Sequence, residues 1–178
     1  MIDFKLENGN IVTEKSNIPV YGEWDVVVVG GGMAGTGAAI AAAKNGAKTI
    51  LIENTSALGG LATNGLVNIP LDFASGVGQE FFDEMAKING IRKLNTDPEK
   101  HKLVFDRMVK KYGVDVLLVT PLIDTIVEGN DVKGVVIHTK TGKKAVMGKV
   151  FIDASGDSDL VYFAGGETKL VTPLCRRR

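Results

Sequence analysis

The sequence predicts an α/β fold: a mainly parallel sheet with a βαβ unit near its start and an inserted antiparallel β-meander. Three observations predict it. Asp25–Val29 is a short, unbroken run dominated by valine, the pattern of a strand buried on both faces. It runs straight into Gly30-Gly31-Gly32, an alanine-rich stretch from Met33 to Asn45, and a second buried-strand pattern, Lys48–Glu53. Strand, glycine turn, helix and strand within about thirty residues is a βαβ unit with an expected right-handed crossover. Finally, Ile123–Glu128, Val132–Thr139 and Lys143–Met147 are apolar runs joined by the turns "GND" and "KTGK", which reads as a meander.

Each element has its own warrant. Residues 1–24 are a lead-in of mixed polarity; Pro19 and Gly22 make it a poor regular element, expected to lie over the outside of the domain. Residues 25–166 form the proposed ligand-binding domain. Gly46 stops the alanine-rich helix. Residues 54–76 contain turns without periodicity. Gly78–Asn89 is a predicted helix with Phe81, Phe82, Met85 and Ile88 on one face. A second helix starts at Asp97, which can cap free N–H groups, with Pro98 at the first helical position. Val104, Phe105, Met108, Val109 and Tyr112 recur along it at helical spacing, and Gly113 ends it. Val114–Val119 is a third buried strand. Val150–Asp153 is a further strand, separate from the meander, running into "ASGDSD". Residues 167–178 form an irregular tail.

Bulk properties narrow the function classes. At 178 residues the chain has room for one sizeable core. Acidic and basic residues balance at 21 each, so nothing points to nucleic acid as a partner. The lone Cys175 cannot form an intrachain disulfide, so a reducing compartment is expected. The acidic, polar N-terminus lacks the order of a signal peptide, and no apolar run is long enough to span a bilayer. The expected location is the cytoplasm, with export inside a larger assembly as the alternative. No Cys/His cluster announces a metal site.

The chemistry is concentrated in the glycines. Gly30, Gly32 and Gly35 form G-x-G-x-x-G, with Gly31, Met33 and Ala34 between them. Gly30 permits a tight turn out of the strand. Gly32 lets a pyrophosphate approach the backbone, and Gly35 lets the helix pack closely. The helix N-terminus then offers unpaired N–H groups to the phosphates. Glu53 ends the next strand 18 residues after Gly35 (53 − 35), where an acid can accept from ribose hydroxyls. The alternative is a tight turn with Glu53 as an ordinary surface carboxylate. Asn54, Thr55 and Ser56 follow without a basic residue, so a 2′-phosphorylated ligand is disfavoured. The fingerprint does not separate FAD from NAD. Gly59-Gly60 lies on a loop that either follows the dinucleotide toward its reactive end or is merely mobile. Gly156 would face the same crevice. Asp157 either accepts from sugar or ribityl hydroxyls or serves as a turn residue or cap.

These motifs in order resemble the N-terminal part of the FAD-dependent oxidoreductases with the glutathione-reductase-like, Rossmann-like fold. The resemblance runs from about Trp24 to Gly166 and is strongest to the bacterial branch with an LGG-x-x-T segment, here Leu58-Gly59-Gly60-Leu61-Ala62-Thr63. That branch has a DP helix start, here Asp97-Pro98, and a D-A-T-G-D-x-D turn, here Asp153-Ala154-Ser155-Gly156-Asp157-Ser158-Asp159, with serine replacing threonine. The resemblance implies that Gly30, Gly31, Gly32, Ala34 and Gly35 bind the FAD pyrophosphate. It implies that Glu53, with Asn54 beside it, binds the adenosine ribose, and that Gly59 and Gly60 pass toward the flavin. The backbone of Leu122 would meet the adenine edge, and Ala154, Gly156 and Asp157 would complete the site.

The resulting expectation is an FAD-binding module of an oxidoreductase that moves hydride or electrons between flavin and a small organic substrate. Family members continue well past this length, so the expected partners include a missing C-terminal domain or a second copy of the chain. Two alternatives stay open: a non-catalytic fragment or subunit holding FAD or ADP, and an NAD-dependent dehydrogenase. The absence of a C-x-x-x-x-C pair after Glu53 argues against a disulfide reductase. No catalytic residue is assigned; His101 and His138 are expected at the surface.

Overall fold

A computed structural model describes residues 4–7, 10–13, 17–69, 75–93 and 95–169. Cys175 and most of the tail lie outside the described residues. Phe4–Glu7 (β1) and Asn10–Thr13 (β2) pair antiparallel as a hairpin of their own. β3 (Val20–Val29) then enters the main sheet, followed by α1 (Met33–Lys44), β4 (Thr49–Ile52), α2 (Gly76–Lys87), and the two-residue strands β5 (Ile91–Arg92) and β6 (Asn95–Thr96). The chain continues through α3 (Pro98–Tyr112), β7 (Asp115–Leu117), β8 (Leu122–Glu128), β9 (Asp131–Thr139), β10 (Gly142–Asp153) and α4 (Asp159–Phe163). The six-stranded sheet has the order β7-β4-β3-β10-β9-β8. Its first four strands pair in parallel and the β10-β9-β8 part is antiparallel, so the meander and the parallel unit share one sheet.

The central strand β4 and the Val27–Val29 end of β3 are buried on both faces, as their unbroken apolar runs require. Val28 and Leu51 point to one side and pack with Ala39 and Ile40 of α1, Phe81 and Met85 of α2, and Phe105 and Met108 of α3. Val27, Val29, Ile50 and Ile52 point to the other and meet Val135 and Ile137 of β9, Val146 of β10 and Leu160 of α4. α3 begins as its sequence demands: Asp97 Oδ1 accepts the N–H groups of Glu99 (3.0 Å) and Lys100 (3.2 Å), with Pro98 in the first turn. It ends at Gly113, whose φ of 71° suits a left-handed cap.

Several expectations are corrected. β3 begins at Val20, inside the supposed irregular lead-in, and part of the rest of that lead-in forms the β1–β2 hairpin. Gly22 is there for packing, because a Cβ at this position would sit 2.6 Å from Trp24 Cη2. Pro19 lies just before the strand, where its carbonyl accepts from Ala145 N–H at 2.9 Å. Lys143–Met147 and Val150–Asp153 are one strand, β10, not two. Gly148 carries the chain through because a Cβ there would be 2.6 Å from Val27 Cγ2. The third strand is shorter than Val114–Val119 and only half-buried, since β7 is a sheet edge.

His101 is the largest departure from expectation. It is completely buried, not on the surface. Its ring lies 4.4 Å from Phe81 and 4.7 Å from Phe105, centroid to centroid, and neither ring nitrogen has a hydrogen-bond partner. The helical period explains the burial: His101 lies on the same stripe as Phe105, Met108 and Tyr112. Burial pushes its pKa down to about 4. His138 is exposed, as expected.

Candidate dinucleotide site

The site is built where β3 stops. Gly30 turns at φ +101°, and a Cβ there would lie 2.2 Å from the Ala154 carbonyl oxygen, so the turn is pressed against the end of β10. Gly35 sits on Gly30, with only 1.8 Å between a notional Cβ and the Gly30 oxygen. Gly31 is buried beneath Leu58, whose Cδ2 would be 2.7 Å from a Cβ. Gly32 differs from its neighbours: nothing lies within 4 Å of where its Cβ would be. It is the N-cap of α1 and no side chain caps that helix end, so first-turn N–H groups face the same opening. A wide-open Cβ direction beside unpaired helix donors fits a pyrophosphate. Ala34, on the first turn, is exposed.

Glu53 is only 7% exposed and is not an ordinary surface carboxylate. Its Oε2 accepts from Gly31 N–H at 2.5 Å and its Oε1 from Thr55 N–H at 2.6 Å. The carboxylate therefore holds the glycine turn in place, with each oxygen keeping further acceptor capacity. Asn54 beside it is exposed.

The second glycine pair lies against the first. Gly59 N–H donates to the Gly31 carbonyl at 2.7 Å, and a Cβ on Gly60 would be 3.1 Å from Gly32 Cα. The buried Thr63 hydroxyl donates to the Leu58 carbonyl at 2.8 Å and closes the loop. The LGG-x-x-T segment is thus a latch over the turn, anchored at both ends.

On the other side, Ala154 N–H donates to the Val29 carbonyl at 2.8 Å, bringing the β10 loop to the same strand end. Asp153 organises that loop. Its carboxylate accepts from the Ser155 hydroxyl (2.7 Å) and from the N–H groups of Ser155 (3.0 Å) and Val161 (2.9 Å). Burial disfavours its charge, but these hydrogen bonds outweigh burial and hold the carboxyl below its usual pKa. Sequence reasoning missed Asp153 and Ser155 as the loop's organisers, although the D-x-S spacing is a known turn signal. Gly156 (φ +91°) and Asp157 are exposed at its tip; Asp157 does not cap α4, whose N-cap is Ser158.

Gly30, Gly31, Gly32, Gly35, Glu53, Gly59, Gly60 and Ala154 are therefore brought together, with Gly156 and Asp157 on the adjoining loop. Leu122 is set apart. Its backbone pairs with Ile137 of β9, and its side chain joins the core on the β9 side of the sheet. It is linked to the site through Thr120, whose N–H donates to the Glu53 carbonyl at 2.9 Å. No group of His, Cys, Asp and Glu arranged to hold a metal ion exists among the described residues.

Comparison with known proteins places the chain in a family. A family model described as FAD dependent oxidoreductase matches residues 25–171. The chain belongs to the FAD-dependent oxidoreductase family, and FAD is the cofactor this membership supports. Among curated proteins it is 31% identical to a digeranylgeranylglycerophospholipid reductase of Methanospirillum hungatei, over 82% of this chain and 42% of that protein. Among solved structures it resembles a geranylgeranyl bacteriochlorophyll reductase-like protein of Thermoplasma acidophilum, with a TM-score of 0.61 and 23% identity over 84% of this chain and 44% of the other. It also resembles an L-proline dehydrogenase of P. horikoshii, with a TM-score of 0.61 and 17% identity over 85% and 58% of the two chains. These structural likenesses speak for the fold. The chain spans less than half the length of the curated relative.

Proposed function

We propose that this chain is the cofactor-holding part of an oxidoreductase that passes hydride between FAD and a small organic substrate. The observation that carries the reading is Gly32, whose open Cβ direction adjoins the uncapped N-terminus of α1 and the backbone of Gly60. First-turn N–H groups of α1, with Ala34 beside them, would hold the pyrophosphate, and Glu53 would accept from the adenosine ribose. Gly59 and Gly60 would guide the chain of the cofactor toward its flavin end, and Asp157 would accept from its hydroxyls. FAD supplies the redox chemistry when bound; this chain's residues bind and orient it. Exposed Leu61, Leu66, Val67 and Ile69 on the loop after Gly60 support a covering partner, either further polypeptide of the same protein or a second copy. A cytoplasmic location is supported by the single cysteine, and no helix among the described residues is long and apolar enough to cross a membrane.

The test is binding by the purified chain. FAD and ADP are each expected to raise its melting temperature, since a ligand held only by the folded state stabilises it by about 2.7 kcal/mol at a hundred times its Kd. Stabilisation by NAD but not FAD would overturn the FAD reading. Visible flavin absorbance in the protein as purified would add that the cofactor is retained.

A further inference from the structure

The seam between α2 and α3 holds an opening of about 230 Å³. Glu84 of α2 and Val104, Arg107, Met108 and Lys111 of α3 line it. None of these belongs to the dinucleotide site at the carboxyl ends of β3 and β4. Arg107 and Lys111 stand one turn apart on α3, with Val104 and Met108 beside them as an apolar floor. The charges at this opening are not equivalent. Lys111 Nζ donates to Glu80 Oε1 at 2.7 Å and lies 4.9 Å from the centre of the Tyr112 ring, so its stem is what it can lend to the opening. Glu84 Oε1 accepts from Lys87 at 2.6 Å, a pair within α2, and its second oxygen has no partner among the described residues. Arg107 makes no hydrogen bond or ion pair among the described residues, although a carboxylate lines the same opening.

An unpaired guanidinium, an unpaired carboxylate oxygen and an apolar floor call for a ligand with three matching parts. We propose that this seam binds a free α-amino acid with a branched apolar side chain. The carboxylate of the amino acid takes the Arg107 fork, and its ammonium donates to the second oxygen of Glu84. Its side chain lies on Val104 and Met108, beside the Lys111 stem. Size limits the occupant, because pockets for drug-sized molecules run to about 300–1,000 Å³ and this one is smaller. Affinity is modest, because Val104 and Met108 are only 1% and 2% exposed and offer little apolar area. The two charges select the zwitterion. A carboxylate without an ammonium meets Glu84 as a like charge, and an amine without a carboxylate leaves Arg107 unpaired.

The experiment titrates the chain with L-leucine, isocaproate, isopentylamine and glycine, followed by amide NMR. L-leucine is expected to bind in the millimolar range and to shift amides of α2 and α3. Isocaproate and isopentylamine, each lacking one charged group, should bind at least about tenfold more weakly, and glycine roughly fivefold more weakly. Arg107→Gln changes an exposed, unpaired side chain, so it should melt with the wild type and weaken L-leucine at least about tenfold. Glu84→Gln should weaken L-leucine but not isocaproate, a split that a merely structural role would not produce. No shift with L-leucine, shifts outside α2 and α3, an unchanged affinity in Arg107→Gln, or isocaproate binding as well as L-leucine would each overturn the proposal. None of these outcomes bears on the FAD reading, which is tested by FAD and ADP at residues elsewhere.

Discussion

Gly32→Val is expected to cost at least about a hundredfold in FAD affinity, or ~2.7 kcal/mol, while the free protein stays folded. The two effects separate because of where the glycine stands. Its φ of −66° and ψ of −174° are open to any residue, and nothing lies within 4 Å of its Cβ direction. The folded chain therefore meets no clash, and the remaining cost is valine's poor performance at an N-cap, about 1 kcal/mol. The branched side chain would instead fill the space next to the α1 donors. Gly35→Ala is the opposite control. Its Cβ would be 1.8 Å from the Gly30 oxygen, a backbone atom that can move only by shifting the turn or the helix. Overpacking of this kind costs about 1–3 kcal/mol and occasionally more, so the loss should appear first in urea unfolding. Measured side by side, Gly32→Val should lose binding and keep stability, and Gly35→Ala should lose stability. FAD binding unchanged by Gly32→Val would place the phosphates away from this turn.

The βαβ unit and its site were legible because they depend on local chemistry. A short run of valines suits a buried strand, and glycines between it and an alanine-rich helix narrow the readings to a tight βα turn with or without a dinucleotide. The helix boundaries at Asp97 and Gly113 were legible for the same reason. What the sequence could not show was approach in space. Gly22 and the Gly148-Lys149 pair look like breaks, yet Gly22 makes room for Trp24 and Gly148 for Val27, and both strands run through. Glu53 was found at the end of its strand, but the direction of its carboxylate, inward onto Gly31, depends on how closely β3 and β4 pair. The backbone of Leu122 was assigned beside the adenine from a motif position, and the packing of its side chain into the core on the β9 side could not be read from that position. His101 had the apolar period of its helix in plain view; reading it as a surface residue put residue type ahead of spacing.

That buried histidine carries the second large expectation: His101→Leu should remove most of the pH dependence of stability between pH 7.5 and 5. In the wild type the imidazole is neutral among Phe81 and Phe105, with both nitrogens unpaired. Its pKa of about 4 in the folded chain lies below the ordinary 6.5. The unfolded chain therefore takes up a proton as pH falls through about 6.5, while the folded chain resists until about 4. The stability is fully present above pH 6.5, drains away between 6.5 and 4, and is constant below. Across pH 7.5 to 5 the loss is about 2 kcal/mol, or several degrees in melting temperature for a domain of this size. The window suits the assignment because the other strongly shifted acid lies outside it. Glu80 is pushed down to about 2: burial opposes its charge, but hydrogen bonds from Lys111, Tyr112 and Lys44 outweigh that, so it titrates below pH 5 in either state. Leucine keeps comparable volume and takes two unpaired polar atoms out of an apolar site, so at pH 7.5 the variant should be as stable as the wild type or more so, by about 1 kcal/mol. Urea denaturation at the two pH values measures both effects. If the wild type and His101→Leu lose stability equally between pH 7.5 and 5, the imidazole is not held neutral in the folded protein, and its unpaired burial between α2 and α3 would be the wrong description of this core.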